Sequence, residues 1–265
     1  MKVNFGAAIK NGWRFALNPK RLILEAVSLA LAIILILVTL VDVVGKISAT
    51  QTTNILTIAQ FGTNFIISLI VISLYFAFLH GTFVHNYSDQ RSISKSAGVV
   101  KSRYLKLIFA IIPITILSVA FNIIFDGLIF PGAEVGSVLG IIIGLLFYFV
   151  YQEVIIDKKG ALGALQGSYK IFRNNMFAVA LTLVISLAVV IALIVAFVVL
   201  VLISVAFGST LSVILASGVL IVSGIIFFIG LAIAILMTLG IQTDVYLQLK
   251  GRRRAAKAKK RRRRR

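Results

Sequence analysis

The sequence predicts an all-α, polytopic membrane protein with about six transmembrane helices and amphipathic elbow helices at the membrane interface. Three observations predict this fold class. First, the 265 residues are 60% hydrophobic and only 13% charged, whereas soluble domains are about 45–50% apolar and about 25% charged. Second, the apolar residues form long runs. Third, the basic residues fall between alternate runs, and no segment outside the runs is long enough for an ordinary soluble domain.

The predicted spans are apolar runs of about 20 residues or more, the length that crosses a hydrocarbon core of about 30 Å. They cover residues 22–44, 61–85, 105–125, 136–156, 177–207 and 211–243. The first run is longer than the apolar region of a signal peptide, and no small-residue cleavage pattern follows it, so we expect it to be retained. We therefore predict one transmembrane domain at 1–249 and a polybasic tail at 250–265.

The orientation follows from the positions of lysine and arginine. Of the 27 basic residues, 26 lie in the N-terminal segment, between spans two and three, between spans four and five, or in the tail, and only Lys46 lies on the other side. Cytoplasmic segments of membrane proteins carry the excess of such residues. The sequence therefore predicts a multi-pass protein of the cell membrane with both termini in the cytoplasm.

Three basic segments, each just before an odd-numbered span, have the apolar spacing of one helical face. Residues 5–17 form the first predicted elbow, with Asn4 as a candidate cap and Asn18-Pro19 as a stop. Segments 93–107 and 162–172 have the same pattern. Such helices lie in the interface with their apolar face toward the lipid. The three elbow-and-hairpin units are either a degenerate internal repeat or ordinary amphipathic linkers.

Glycines recur every four residues into the fourth span. Glycine on one face lets a second membrane helix approach closely. This pattern indicates intramolecular helix packing or, alternatively, a seam between the subunits of a homo-oligomer. The glycines concerned are Gly132, Gly136, Gly140 and Gly144.

Five ionisable residues lie near the cytoplasmic ends of the predicted spans. Because such groups are expensive in a membrane, they are candidates for function. The alternative is structural pairing: Glu25 with Arg21 one turn away, and the acidic residues of spans four and six with elbow cations. The five candidates are Glu25, His80, His85, Glu153 and Asp244.

The sequence contains no motif for a cofactor, a metal or a catalytic centre. There is no cysteine, which excludes disulfides and thiolate ligands. No phosphate-binding loop, HExxH or GxSxG motif is present. His80 and His85 are five residues apart and so do not share a helical face, and a site built from them and Glu153 matches no recognised metal-ligand spacing.

The tail is the most basic segment of the chain. A polybasic segment beside a membrane gains about 1 kcal/mol per basic residue from anionic lipid. Binding to RNA or the ribosome is the alternative, because phosphate neutralisation is independent of sequence, but the aromatic residues that stack on bases are missing. The predicted contact residues are Arg252, Arg253, Arg254, Lys257, Lys259, Lys260, Arg261, Arg262, Arg263, Arg264 and Arg265.

One further segment reads Tyr151-Gln152-Glu153-Val154-Ile155-Ile156-Asp157-Lys158-Lys159-Gly160, continued by Ala164-Leu165-Gln166-Gly167-Ser168-Tyr169. It resembles a segment of uncharacterised prokaryotic, often archaeal, membrane proteins. It is similar to the membrane-integral region of some glycerophosphodiester phosphodiesterases. The resemblance implies a six-helix fold. It covers about 25 residues, and the chain has no phosphodiesterase domain and no proline shortly before Glu153, so no catalytic residue carries over.

The function predicted from the sequence is that of a non-enzymatic membrane scaffold or accessory protein with anionic-lipid contacts on its cytoplasmic side. The alternative is a small transporter or permease-like subunit that forms homo-oligomers. An intramembrane enzyme acting on lipid is the least favoured hypothesis.

Overall fold

The computed structural model describes residues 3–50, 55–129, 134–208 and 213–251, and almost all of them are helical. The helices are α1 (Phe5–Ala16), α2 (Pro19–Thr50), α3 (Ile55–Asp89), α4 (Ile93–Lys101), α5 (Tyr104–Phe121), α6 (Val135–Leu146), α7 (Val150–Ile155), α8 (Ala161–Asn174), α9 (Met176–Gly208) and α10 (Val213–Leu249). A π-helical segment, Asn122–Ile129, continues α5.

Six stretches within the described residues are long and apolar enough to cross a membrane, which confirms the predicted fold class. They are Pro19–Val41, Thr63–Asp89, Tyr104–Asp126, Val135–Ile155, Met176–Leu202 and Ile221–Leu249. The second span, formed by α3, ends at Asp89, four residues beyond its predicted end at 85. The fourth span, predicted as one helix, is broken between α6 and α7.

The three predicted elbows correspond to the short helices α1, α4 and α8. The second is shorter than predicted, because segment 93–107 is divided between α4, which ends at Lys101, and α5, which begins at Tyr104. The Asn4 side chain caps α1 by accepting a hydrogen bond of 2.9 Å from the amide of Ala7, and the helix ends before Asn18-Pro19. Because the spans alternate in direction, all three elbows lie at one end of the bundle. We call it the basic end; it carries α1, α4 and α8 and also the last described residue, Gly251.

Each elbow packs against the end of an even-numbered span. Helix α4 packs on α3, α8 packs on α7, and α1 packs on α10. The first two contacts join neighbours in the chain, whereas the third joins its two ends. The three units predicted from the sequence are therefore arranged as a closed ring at the basic end.

The even-numbered spans form the inner part of the bundle. The share of buried residues is 22%, 39% and 28% in spans two, four and six, but 11%, 11% and 0% in spans one, three and five. Toward the other end, many of the described apolar side chains are exposed, including Ile34 and Leu37. Lipid chains are as apolar as leucine, so such exposure costs little in a membrane.

Two glycines allow α1 to cross α10 in close contact. A Cβ on Gly12 would lie 2.8 Å from the carbonyl oxygen of Met237, and one on Gly240 would lie 2.9 Å from the Cα of Gly12. Any larger residue at either position would push the helices apart. This crossing fixes the first elbow at the basic end.

Candidate functional site

A completely buried carboxylate lies where spans four and six meet at the basic end. Glu153 of α7 has no exposed surface. Its Oε2 lies 2.6 Å from Nζ of Lys159, and its Oε1 lies 2.8 Å from Nζ of Lys250. The Tyr246 hydroxyl donates a hydrogen bond of 3.2 Å to Oε1. Buried charges are stable only when they are paired and hydrogen-bonded, and here two cations offset one carboxylate.

Lys250 links this carboxylate to a second one. Its Nζ lies 3.2 Å from Oδ2 of Asp157. Burial alone would lower the pKa of Lys250, but the hydrogen bonds and charges of Glu153 and Asp157 outweigh burial and raise that pKa above its ordinary value. Lys250 is therefore charged and ties the end of α10 to the end of α7. We call Glu153, Asp157, Lys159, Tyr246 and Lys250 the Glu153 cluster.

Gly167 of α8 provides the space for this cluster. A Cβ at Gly167 would overlap the Glu153 carboxylate, with the carboxyl carbon 2.7 Å away, and would lie 2.5 Å from Nζ of Lys159. The third elbow therefore covers the ion pair directly, with no side chain between them.

The break in span four lies beside the cluster. The Ser168 hydroxyl donates a hydrogen bond of 3.2 Å to the carbonyl of Leu146 and accepts one of 3.0 Å from the amide of Phe149. The side-chain amide of Gln242 donates to the carbonyl of Tyr148. Non-helical backbone at membrane depth is tolerated only where protein or water satisfies it. Here residues from α8 and α10 satisfy it.

Gln152 follows the break and is also fully buried. Its Nε2 donates a hydrogen bond of 3.3 Å to the hydroxyl of Thr243. Its Oε1 is buried without a hydrogen-bond partner among the described residues. The junction of spans four and six thus holds a buried acceptor next to a carboxylate that is paired with two lysines.

Asp244 fixes the first elbow and span two to span six. It accepts hydrogen bonds of 2.9 Å from the Tyr87 hydroxyl and 2.8 Å from the Gln248 side chain. The Asn11 side chain of α1 lies 3.5 Å from both carboxylate oxygens. The sequence predicted elbow cations as partners of Glu153 and Asp244. The two lysines on Glu153 lie outside the elbow helices, before α8 and after α10, and these three partners of Asp244 are uncharged.

Glu25 pairs with His80, which corrects the predicted pairing with Arg21. The distance from Glu25 Oε1 to His80 Nε2 is 3.4 Å. The Arg21 guanidinium instead donates to the Asn86 side chain at 2.6 Å and lies 4.1 Å from the centre of the Phe15 ring. The aromatic ring and the amide offer Arg21 partners that the sequence spacing alone does not reveal.

His85 lies in a different contact from His80. Its Nδ1 is 3.2 Å from the hydroxyl of Ser96 on α4, and its Nε2 is 3.9 Å from Asp89. The two histidines and Glu153 therefore have separate partners. Among the described residues, no three His, Cys, Asp or Glu side chains come together as a metal site.

The glycines of span four have unequal roles. Gly136 packs on the end of α5, where an added Cβ would lie 2.7 Å from the Cα of Asn122. Asp126 accepts hydrogen bonds of 2.5 Å and 3.1 Å from the amides of Gly136 and Ser137 at the start of α6. Gly140 makes an ordinary contact of 3.7 Å, and Gly144 has no described atom within 4 Å. Packing within the described chain thus explains Gly136 but not Gly144.

Several predicted residues lie outside the described part of the chain. Gly132 is one of them, and the basic residues from Arg252 to Arg265 are the others.

Sequence reasoning assigned no role to Ser168, Gly167, Gln242 or Tyr246. No proline lies at the break in span four, and Gly144 is two residues before the end of α6. The polar residues that satisfy the break carry no recognisable local signal. The small residues of α8 provide a weak one, because Ala164, Gly167 and Ser168 share its buried face.

Comparison with protein-family models, with curated proteins and with solved structures finds no match for this chain. The resemblance of residues 151–169 to a six-helix membrane family stays a prediction, and the site must be interpreted from its own geometry.

Proposed function

We propose that this chain is a non-enzymatic membrane scaffold or accessory protein whose basic end lies in the cytoplasm and contacts anionic lipid. The observation that carries the proposal is the outer surface of α1. Ile9, Trp13 and Leu17 form an exposed apolar stripe, and the exposed cations Lys10 and Arg14 each follow a member of it. This pattern is typical of a helix that lies in the interface with its cations at the headgroups.

The inner face of α1 supports the same interpretation. Its buried residues include Ala8, Gly12 and Phe15, and they pack against α10. The stripe is therefore not needed to pack α1 against the bundle, and it stays exposed. Tryptophan is enriched at membrane interfaces because its ring is apolar and its N–H is polar, and this supports a position of the stripe at the lipid surface.

The test uses Trp13, the single tryptophan of the chain. The protein is reconstituted in bilayers that contain brominated lipids, which quench tryptophan fluorescence on contact. We expect brominated phosphatidylglycerol to quench Trp13 more strongly than brominated phosphatidylcholine at equal mole fraction. The double variant Lys10→Gln/Arg14→Gln should lose this preference.

The matched control removes two cations from another elbow, as Lys95→Gln/Lys101→Gln. It changes the net charge equally and should keep the preference at Trp13. Equal quenching by both lipids in the unchanged protein would contradict the proposal.

The tail is proposed to add to this anionic-lipid contact. Full-length protein and a variant ending at Gly251 are compared in anionic and zwitterionic nanodiscs and in ribosome co-sedimentation. If the tail increases binding to ribosomes but not to anionic nanodiscs, the result would favour the RNA interpretation.

A second candidate, a small transporter subunit, is favoured by one observation. Many transporters bind substrates and coupling ions at broken helices, and span four is broken close to the buried Glu153. In proteoliposomes, uptake of labelled amino acids, sugars and inorganic ions would be measured for the unchanged protein, Glu153→Gln and Asp244→Asn. If the unchanged protein transports a solute and the correctly folded variants do not, transport is established and the scaffold proposal is wrong.

A further inference from the structure

Glu25 differs from Glu153 in how its charge is compensated. Both side chains are completely buried. Glu153 has two lysines and a tyrosine around it. Glu25 has only His80 within hydrogen-bonding distance, and its Oε2 is buried without a hydrogen-bond partner among the described residues.

Other polar groups on α2 and on the helices that pack against it have partners of their own. Arg21, one turn away on α2, is held by the Asn86 side chain at 2.6 Å. From α3, the Tyr75 hydroxyl lies 2.7 Å from the hydroxyl of Ser28. From α10, which also packs on α2, the carboxylate of Asp244 is hydrogen-bonded to groups of α3 and α10. No lysine or arginine within the described residues is in ion-pair contact with Glu25.

A carboxylate at this depth is costly unless a positive charge or a proton neutralises it. Glu25 lies roughly 9 Å along α2 from its first residue at a rise of about 1.5 Å per residue. Ionisable groups within membrane helices are expensive and usually pair with one another. The neutral arrangement available to Glu25 is a proton held jointly with His80.

We propose that Glu25 and His80 form a proton-binding site within the first hairpin. One proton moves between Glu25 Oε1 and His80 Nε2: as the N–H bond breaks and the O–H bond forms, an imidazolium and a carboxylate become an imidazole and a carboxylic acid. The net charge of the pair is zero in both forms. The ligand is a proton because two side chains are too few for a metal ion, and no third His, Cys, Asp or Glu joins them in the described chain.

His80 is the route by which the proton reaches the site. Its side chain is 22% exposed, whereas that of Glu25 is 0% exposed. Since Glu25 has no exposed surface, a proton can enter or leave the pair only through the imidazole. His80 also packs beside the ring of Phe76, with 5.3 Å between ring centres, which limits its orientation.

Nitrogen-15 magnetic resonance on the full-length protein in lipid nanodiscs tests the proposal. The chain has two histidines, so the variant His85→Gln leaves His80 as the only imidazole signal. In this background, the Nε2 shift is followed through a pH titration, with and without Glu25→Gln. We expect Glu25→Gln to change the His80 midpoint, because the variant removes the carboxylate that lies 3.4 Å from Nε2.

Two controls separate this result from loss of structure. Ser28→Ala removes a neighbouring polar contact of the same interface and should leave the His80 midpoint unchanged. Circular dichroism must show equal helix content for both variants. An identical His80 midpoint with and without Glu25, in folded protein, would overturn the proposal.

Infrared difference spectra provide a second, independent measurement. The C=O stretch of a protonated carboxylic acid should be present in the unchanged protein, absent in Glu25→Gln and retained in Glu153→Gln. A band that persists in Glu25→Gln would overturn the assignment of the proton to this pair.

Discussion

Replacing Gly167 with alanine tests whether the third elbow seals the Glu153 cluster by direct contact. The added Cβ would overlap the buried carboxylate and lie 2.5 Å from Nζ of Lys159. Lys159 is partly exposed and can swing away. The carboxylate cannot, because it is completely buried and its other oxygen is held by Tyr246 and Lys250.

The matched control is Gly163→Ala, one turn earlier on the same helix. Its Cβ would have its nearest neighbours at 3.8 Å and 3.9 Å, both ordinary contacts with Lys159. Alanine is favoured over glycine by about 0.5–1 kcal/mol inside a helix, and this gain applies to both variants. The difference between them therefore isolates the steric conflict, which we expect to be about 1–3 kcal/mol, the usual cost of overpacking.

The assay is reversible unfolding in mixed micelles, followed by circular dichroism at increasing denaturing-detergent concentration. Gly163→Ala should unfold at the same or a higher midpoint than the unchanged protein, and Gly167→Ala at a lower one. A double-mutant cycle with Lys159→Met should show coupling to Gly167→Ala, because removing the amine relieves part of the conflict. Equal stability of the two alanine variants would refute the close contact between α8 and the ion pair.

Three further predictions concern the basic end. Ser168→Ala leaves the carbonyl and amide of the span-four break without their partner and should lower the free energy of unfolding by about 1–3 kcal/mol, the cost of unsatisfied buried groups. Because the folded pKa of Lys250 is raised above 10.5, its contribution to stability is complete below that pH and is lost as the pH rises through the folded pKa. A melting-temperature series should therefore fall at alkaline pH, and Lys250→Met should flatten this fall. Gly12→Ala should separate α1 from α10 and shift the fluorescence emission of Trp13. Gly6→Ala is the control, because its Cβ would have only a 3.7 Å contact with Asn4, and it should leave the emission unchanged. An unchanged emission in both variants would contradict the close crossing of α1 and α10.

Composition and periodicity determined the fold class because they are properties of local sequence. An apolar run of about 20 residues must cross the bilayer as a helix, since no other backbone arrangement in lipid satisfies its own hydrogen bonds. The elbows are likewise local: Asn4 caps α1, and the proline at 19 begins the next helix. The six spans and three elbows were therefore predictable before any contact was known.

Partners across the bundle depended on the tertiary structure. The sequence suggested that Glu25 meets Arg21, because they are one turn apart, but His80 and Asn86 lie 55 and 65 residues further along the chain and pair with them instead. The break in span four depends on Ser168 and Gln242, whose side chains replace the lost helical bonds from two other helices. Such contacts join residues distant in sequence, so no spacing rule reveals them.

The sequence by itself thus determined which segments enter the membrane, where the elbow helices begin and on which side the cations collect. Only the tertiary structure decided which buried carboxylates pair with lysines, as for Glu153, and which with a histidine, as for Glu25. The physical reason is that the free energy of transfer into lipid is a sum over neighbouring residues of one segment. Neutralisation of a buried charge instead depends on single atoms that approach within about 3–4 Å across helices.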